Sequence, residues 1–315
     1  MEEMLAATLF ALVTHPVLSQ PSTAADPAPV NPSASRGVKD LLAKMRRISG
    51  KAILSGQCDD KYLPFIKRVS GKEPAIMGYD FNGLMPSQTG NVDAAKAIAW
   101  HRRGGIVTFQ WHWISPDANG DFYTDKFDLA AALANPAGTS YKNLIRDVDL
   151  VAGELAKLDK AGVPVLWRPL HEAEGKWFWW GKSGGGPAKE LYNLIFDRFT
   201  KKYRLRNLIW VWTSYGKDKE NWYPGDSRVD MIVRDYESPS AWSDFQELFG
   251  KSGKLFALGE EGKLPDPDNL AKAPWVYFLT WAYMIEDPAK GNTEAWIKKV
   301  YQDPRVITLD TVGRW

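Results

Sequence analysis

From residue 52 to residue 282 the chain alternates between two hydrophobic rhythms. Short runs rich in Val, Ile, Leu and aromatic residues end in polar or aromatic side chains, and between them apolar positions recur at helical spacing. Eight of the short runs are predicted strands: 52–57, 75–81, 105–113, 164–172, 208–214, 230–237, 255–262 and 277–282. Predicted helices between them include 92–103, 144–161, 188–202 and 241–249. Strands alternating with helices imply parallel β-α-β units. Eight such units in one stretch predict a single α/β domain of the (β/α)8 type, a TIM barrel, over residues 36–315. An open doubly wound sheet would announce a glycine-rich turn after its first strand, and Ser55-Gly56-Gln57 is not one.

The chain before the barrel has a different texture. Residues 1–19 contain an apolar run from Leu5 to Val13, too short to span a bilayer but matching the apolar part of a signal peptide. Glu2 and Glu3 depart from the basic start such peptides have. A secreted protein is the expectation. Residues 20–35 are rich in Pro and small polar residues and are expected to form a disordered linker.

Composition narrows the function. Forty Lys+Arg against 38 Asp+Glu leave a net charge of +2, which supports neither nucleic acid nor an anionic membrane as partner. Cys58 is the sole cysteine, so no intrachain disulfide, thiolate zinc site or iron–sulfur cluster can form. Among four histidines none has ligand spacing, and HEAEG at 171–175 has glycine where a zinc-protease helix needs its second histidine. No metal, no cofactor and a monomeric chain are expected. Fifteen tryptophans predict that several line a binding surface.

A barrel of this class builds its active site at the C-terminal strand ends. Those ends carry Asp80, His112 and Trp113, His171 and Glu172, Trp212 and Tyr215, Asp235 and Tyr236, Glu260 and Glu261, and Trp281. Flat aromatic rings beside carboxylates and imidazoles make a composition suited to a sugar. Glycoside hydrolysis needs two carboxyl groups facing each other across the scissile bond, one protonated and one ionised. Glu172 and Glu260, ending the fourth and seventh strands, are the candidates, with a mouth-spanning salt bridge to Arg168 as the purely structural alternative. Alternation does not choose between Glu260 and Glu261: Phe256 and Leu258 share one face, and Leu255, Ala257 and Gly259 share the other.

Trp167-Arg168-Pro169-Leu170-His171-Glu172, followed by Gly175-Lys176-Trp177-Phe178-Trp179-Trp180-Gly181, resembles the signature of glycoside hydrolase family 26, the β-mannanase family. The likeness extends to WHW at 111–113, LIWVW at 208–212, Glu260-Glu261-Gly262 and Leu279-Thr280-Trp281-Ala282. It implies a retaining endo-β-1,4-mannanase acting on a mannan-type polysaccharide, with Glu172 as acid/base and Glu260, chosen by a Glu-x-Gly pattern, as nucleophile. It also implies that His171 reads the sugar at the cleaved bond, that Trp177 stands beside the acid/base, and that His112, Trp281 and Tyr236 line the substrate. Asp235 and Tyr236 are adjacent where the family spaces them Asp-x-Tyr. A mixed-linkage β-glucanase, a β-1,3-xylanase or a non-catalytic carbohydrate-binding barrel are the alternatives on the same scaffold.

Overall fold

The computed structural model describes residues 27–315 apart from Gly83, 86–87, 90–93, Lys217, Glu237 and Pro239. The expected signal segment, 1–19, lies outside the described residues. Of the stretch expected to be linker, residues 27–35 are described, and they are docked rather than loose. Asn31 is buried and donates from Nδ2 to the Leu205 carbonyl, while the Val30 N–H donates to Asp230. Side-chain and backbone bonding to the barrel outweighs the Pro-rich composition there.

Eight parallel strands close into a barrel: β1 (Gly56–Cys58), β2 (Ile76–Asp80), β3 (Ile106–Gln110), β4 (Val165–Arg168), β5 (Leu208–Thr213), β6 (Met231–Asp235), β7 (Leu255–Glu261) and β8 (Phe278–Thr280). Thr280 of β8 pairs with Gln57 of β1 and completes the circle. Around them run α1 (Arg36–Ile48), α2 (Leu63–Ser70), α3 (Ala94–Arg102), α4 (Leu129–Ala134), α5 (Thr139–Lys160), α6 (Trp179–Lys182), α7 (Gly185–Asp197), α8 (Lys219–Trp222), α9 (Ala241–Phe249) and α10 (Glu294–Gln302). Hydroxyl and carboxylate caps start several of them: Ser35 accepts from the Val38 N–H, Asp128 from Ala131, and Thr293 from Trp296. No described helix is long and apolar enough to cross a membrane.

Strand alternation divides the hydrophobic residues into two cores. One lies between strands and helices and holds Val107, Phe109, Val165, Trp167, Trp210 and Trp212. The other fills the barrel with Ile76, Ile106, Leu166, Ile209, Val233 and Ala257, and α1 plugs it from below with Val38, Leu42 and Met45. Most tryptophans belong to the first core. Trp111, Trp113, Trp167, Trp179, Trp180, Trp210, Trp212 and Trp275 are all fully buried, so packing between strand and helix layers accounts for much of the tryptophan excess.

Above the apolar plug the inward positions turn polar. Counting inward by twos gives Ile76, Gly78, Asp80 on β2; Ile106, Thr108, Gln110 on β3; Leu166, Arg168 on β4; and Met231, Val233, Asp235 on β6. The strands end earlier than the sequence pattern suggests. β3 stops at Gln110 and β4 at Arg168, where Pro169 supplies no N–H and Leu170 takes a positive φ of 51°. His171 and Glu172 therefore stand on a turn after the strand.

Candidate active site

Seven of the eight non-glycine residues with positive φ among the described residues lie in loops that follow barrel strands: Asp59, Ala118, Leu170, Glu172, Lys176, Tyr236 and Ala282. Each such conformation costs about 1–3 kcal/mol, and strain gathered at one end of a fold marks the working end.

The centre of that end is one buried guanidinium. Arg168 donates from Nη1 to Asp235 at 2.9 Å and to Thr213 Oγ1 at 3.1 Å, and from Nη2 to Gln110 Oε1 at 2.5 Å and to Glu260 Oε1. Asp235, Glu260 and Arg168 are all buried. Burial pushes both carboxyls above their ordinary range against the pull of Arg168, and the charge of Glu260 adds to the rise at Asp235. Asp235 also faces Glu172 and Glu261; Glu260 likewise faces Glu172 but has His112 as a second positive neighbour.

Glu260 reaches Arg168 through a β-bulge. Leu258 pairs with Arg234 and Glu260 with Asp235, so Gly259 is the extra residue that resets the alternation. A Cβ on Gly259 would lie 2.4 Å from Asp235 Oδ1 and 2.8 Å from Val233, which only glycine avoids. Glu261 points elsewhere and walls a separate cavity with Lys263, Pro265, Asp266 and Trp296.

Glu172 sits in the left-handed region (φ 55°) at the start of a tight turn over 173–175. Trp177 donates its indole N–H to Glu172 Oε2 at 2.8 Å, and its ring folds back over Gly175, where any Cβ would meet ring carbons at 2.1 Å. Trp177 is 40% exposed and meets the Tyr215 ring at 5.8 Å. Burial, then the charges of Asp235 and Glu172, push the Tyr215 hydroxyl far up. Tyr236, also half-exposed, bridges the two glutamates electrostatically: burial with the charges of Glu172 and Glu260 pushes it up to about 12, and its N–H donates to the Glu260 carbonyl.

Asp80 and His112 form the third element. The Asp80 carboxylate accepts the His112 backbone N–H at 2.9 Å and meets Nδ1 at 2.5 Å. Burial alone would lower the His112 pKa, but Asp80 outweighs it and raises it; the same pair holds Asp80 low despite burial. His112 Nε2 lies 3.2 Å from His171 Nε2. Burial and then the charges of His112 and Arg168 drive the His171 pKa well down, which favours neutral His171, while Asp80 favours the charged form of His112.

A cavity of about 360 Å³ opens beside the Asp80–His112 pair at the ends of β1–β3, walled by Asp60, Asp80, Lys96, His112, Tyr123 and Trp281 among others. Its volume suits a sugar unit or two. Of the candidates from the sequence, His112 and Trp281 wall this cavity, Trp177 bonds to Glu172, and the Tyr236 N–H bonds to the Glu260 carbonyl. Two candidates are not at its surface. Trp113 is fully buried, stacks on Trp111 at 3.8 Å and donates to the buried Asp147 of α5 at 3.1 Å, because it shares the outward parity of Trp111. His171 is sealed from solvent among His112, Phe178 and Trp180, so it backs His112 instead of meeting a sugar directly.

Sequence reasoning missed Gln110, Glu174 and the Phe122–Tyr123 pair. Parity with Ile106 would have found Gln110, and two adjacent aromatics in a polar loop would have flagged Tyr123, whose ring is 54% exposed and lies 5.2 Å from Phe178. Glu174 accepts the Tyr215 N–H at 3.1 Å, and burial raises its pKa to about 7. Among the described residues no three of His, Cys, Asp and Glu gather in a way that could hold a metal ion.

The family model for glycosyl hydrolase family 26 matches residues 30–311. A mannan endo-1,4-beta-mannosidase of Thermothelomyces thermophilus is 40% identical over 308 residues, covering 90% of this chain and 63% of that protein. Mannan endo-1,4-beta-mannosidase B of Piromyces sp is 32% identical, covering 90% of this chain and 53% of the relative. The chain thus spans between about half and two thirds of these relatives. Of solved structures, a Podospora anserina GH26-CBM35 beta-(1,4)-mannanase superposes with a TM-score of 0.86 at 38% identity, over 94% of this chain and 71% of that one. A beta-mannanase from a symbiotic protist of the termite Reticulitermes speratus, complexed with gluco-manno-oligosaccharide, gives 0.82 at 34% identity, over 91% and 98%.

Proposed function

The chain belongs to glycosyl hydrolase family 26, and on that premise we propose that it is an endo-β-1,4-mannanase working by retaining double displacement. Glu172 in its acid form gives its proton to the glycosidic oxygen while Glu260 attacks the anomeric carbon, and the shortened chain leaves as an alcohol. A water that gives its proton back to Glu172 then attacks the same carbon and frees Glu260, with net retention. The observation that carries this reading is the charge field at the mouth. Arg168 ties Glu260 Oε1, leaving Oε2 to attack, and the Trp177 N–H ties Glu172 Oε2, leaving Oε1 to carry the proton.

Preference for mannose rests on its axial 2-hydroxyl. His112, whose charged form Asp80 favours and which walls the cavity, is the group offered to it; His171 and Tyr236 support the subsite, with Trp177 and Trp281 as platforms for sugar faces. A polysaccharide cannot enter a cell, so the reading includes export. It also includes a monomer, since one barrel carries the whole site. The four similar proteins named above are each called a mannanase or mannan endo-1,4-beta-mannosidase, which favours mannan over mixed-linkage glucan or β-1,3-xylan.

The test is hydrolysis of glucomannan, galactomannan, lichenan and xylan with analysis of products. Internal cleavage of the mannans with little action on the others is expected, and proton NMR should detect the β-anomer of the new reducing end before mutarotation. Comparable rates on lichenan would sink the mannan assignment, and the α-anomer appearing first would sink double displacement.

A further inference from the structure

The turn that carries Glu172 is joined to the neighbouring strand end by a residue outside the catalytic pair. Glu174 stands two residues after Glu172, and its Oε2 accepts the backbone N–H of Tyr215 at 3.1 Å, just beyond β5. The Ser214 hydroxyl also bonds to its carboxylate. On the opposite side of Tyr215, Arg234 Nη1 donates to the Tyr215 carbonyl at 3.0 Å and Nε donates to the Tyr236 carbonyl at 3.4 Å. A carboxylate on the N–H and a guanidinium on the C=O therefore clamp Tyr215 from both sides.

Clamping matters because of what Tyr215 touches. Its ring meets Trp177 at 5.8 Å, its hydroxyl lies by Glu172, and Trp177 in turn donates to Glu172. Glu172 itself is held in a left-handed conformation with the similarly strained Lys176 at the far end of the turn (φ 62°). Beneath, Ala173 is packed so closely that a Cβ on Gly181 would meet its carbonyl at 2.2 Å. The turn cannot sink, and the Glu174 bond sets its position sideways.

We propose that Glu174 is a positioning residue for the acid/base group: through Tyr215 it fixes where the Glu172 carboxyl stands relative to the leaving oxygen. The inference rests on the assignment of Glu172 as acid/base made above. It concerns geometry, so the length of the side chain matters and its charge does not. Glutamine keeps an oxygen at the same reach for the Tyr215 N–H; aspartate keeps the charge but is one methylene too short.

The experiment compares Glu174→Ala, Glu174→Asp, Glu174→Gln and Glu172→Ala on glucomannan and on an activated 2,4-dinitrophenyl β-mannobioside. A small misplacement of a catalytic group costs up to roughly 100-fold. For the Ala and Asp variants kcat on glucomannan should fall roughly 10–100-fold with KM within about two-fold. On the activated substrate the same two variants should release a burst of dinitrophenol and then turn over slowly, a milder copy of Glu172→Ala. Glu174→Gln should stay near the parent enzyme on both substrates. Equal losses on both substrates without a burst, rescue by Asp in place of Gln, or no loss in Ala would each overturn the proposal. If the Ala variant does not fold, the Asp and Gln pair decides alone. Absence of a burst in Glu172→Ala would show instead that the acid/base assignment has failed, and the inference with it.

Discussion

Replacing Arg168 by methionine, which is apolar and of similar length, tests the central charge of the site. Two buried carboxyls lose their shared counter-ion, since Asp235 and Glu260 both bond to this guanidinium. Breaking a buried pair from one side costs about 3–5 kcal/mol. The effect on ionisation follows from Coulomb's law: at contact distance and an effective dielectric of about 20, a unit charge is worth about 4 kcal/mol, or about three pKa units. Water entering the vacated space reduces this, so a rise of about one to three units is expected for Glu260, whose pKa burial already raises. Attack requires the carboxylate, so the acid limb of kcat/KM should move to higher pH by that amount. Stability should run the other way. Carboxyls with pKa values raised in the folded state bind more protons than in the unfolded chain, so stability falls as pH climbs from about 4 through the folded values. The variant should therefore be most stable where it is least active. Urea unfolding followed by tryptophan fluorescence at pH 5 and pH 8, beside pH profiles of kcat/KM, checks both signs. An unmoved acid limb, or a stability loss independent of pH, would refute the reasoning. Arg168→Lys retains the charge and should shift the limb less.

External azide separates the roles of the glutamates: it should speed Glu172→Ala turnover of an aryl mannobioside and yield the β-glycosyl azide, since azide needs no base, whereas any rescue of Glu260→Ala should give the α-product; reversed stereochemistry would swap the assignment. Trp113→Phe removes the N–H that reaches the buried Asp147, whose pKa burial raises to about 6, so thermal unfolding should show a loss of about 1–3 kcal/mol with mannan KM unchanged. A large rise in KM at unchanged stability would return Trp113 to the cleft. Asp80→Asn should lower the pKa of His112, read by NMR titration of the imidazole. Asp80 is held low and His112 high, so the pair stabilises most where both are charged, between about pH 4 and pH 7, and the penalty of the variant should be greatest there and fade above it.

The barrel was legible because its strands repeat one physical requirement. Each needs a few β-branched or large apolar residues to be buried on both faces, and each ends where polar residues begin. That pattern located every barrel strand to within a few residues, and the prediction for 241–249 coincides with α9. Strand ends were less legible, for two reasons. Trp111 and Trp113 continue an apolar run past the last ladder bond at Gln110, because the loop after β3 is itself packed against α5 and Trp179. The run leading to Glu172 hides a left-handed Leu170, which no apolar pattern announces.

Parity works at the site wherever a strand is regular: counting by twos from Ile76, Leu166 and Val233 places Asp80, Arg168 and Asp235 on the inner face. On β7 it fails. Leu255 and Ala257 point inward, so counting by twos leads to Gly259 and then Glu261, whereas the glutamate that meets Arg168 is Glu260. The Gly259 bulge shifts the count by one, and the signal for it was present as a single glycine inside an otherwise apolar strand. A glycine there is required by the Asp235 carboxylate, which occupies the space a Cβ would need. The residue that crowds Gly259 is thus the same one that shares Arg168 with Glu260. A larger side chain at 259 would be expected to displace Asp235, straighten the strand and turn Glu260 away from the guanidinium, so the placement of Glu260 beside Arg168 depends on a residue that carries no chemistry of its own.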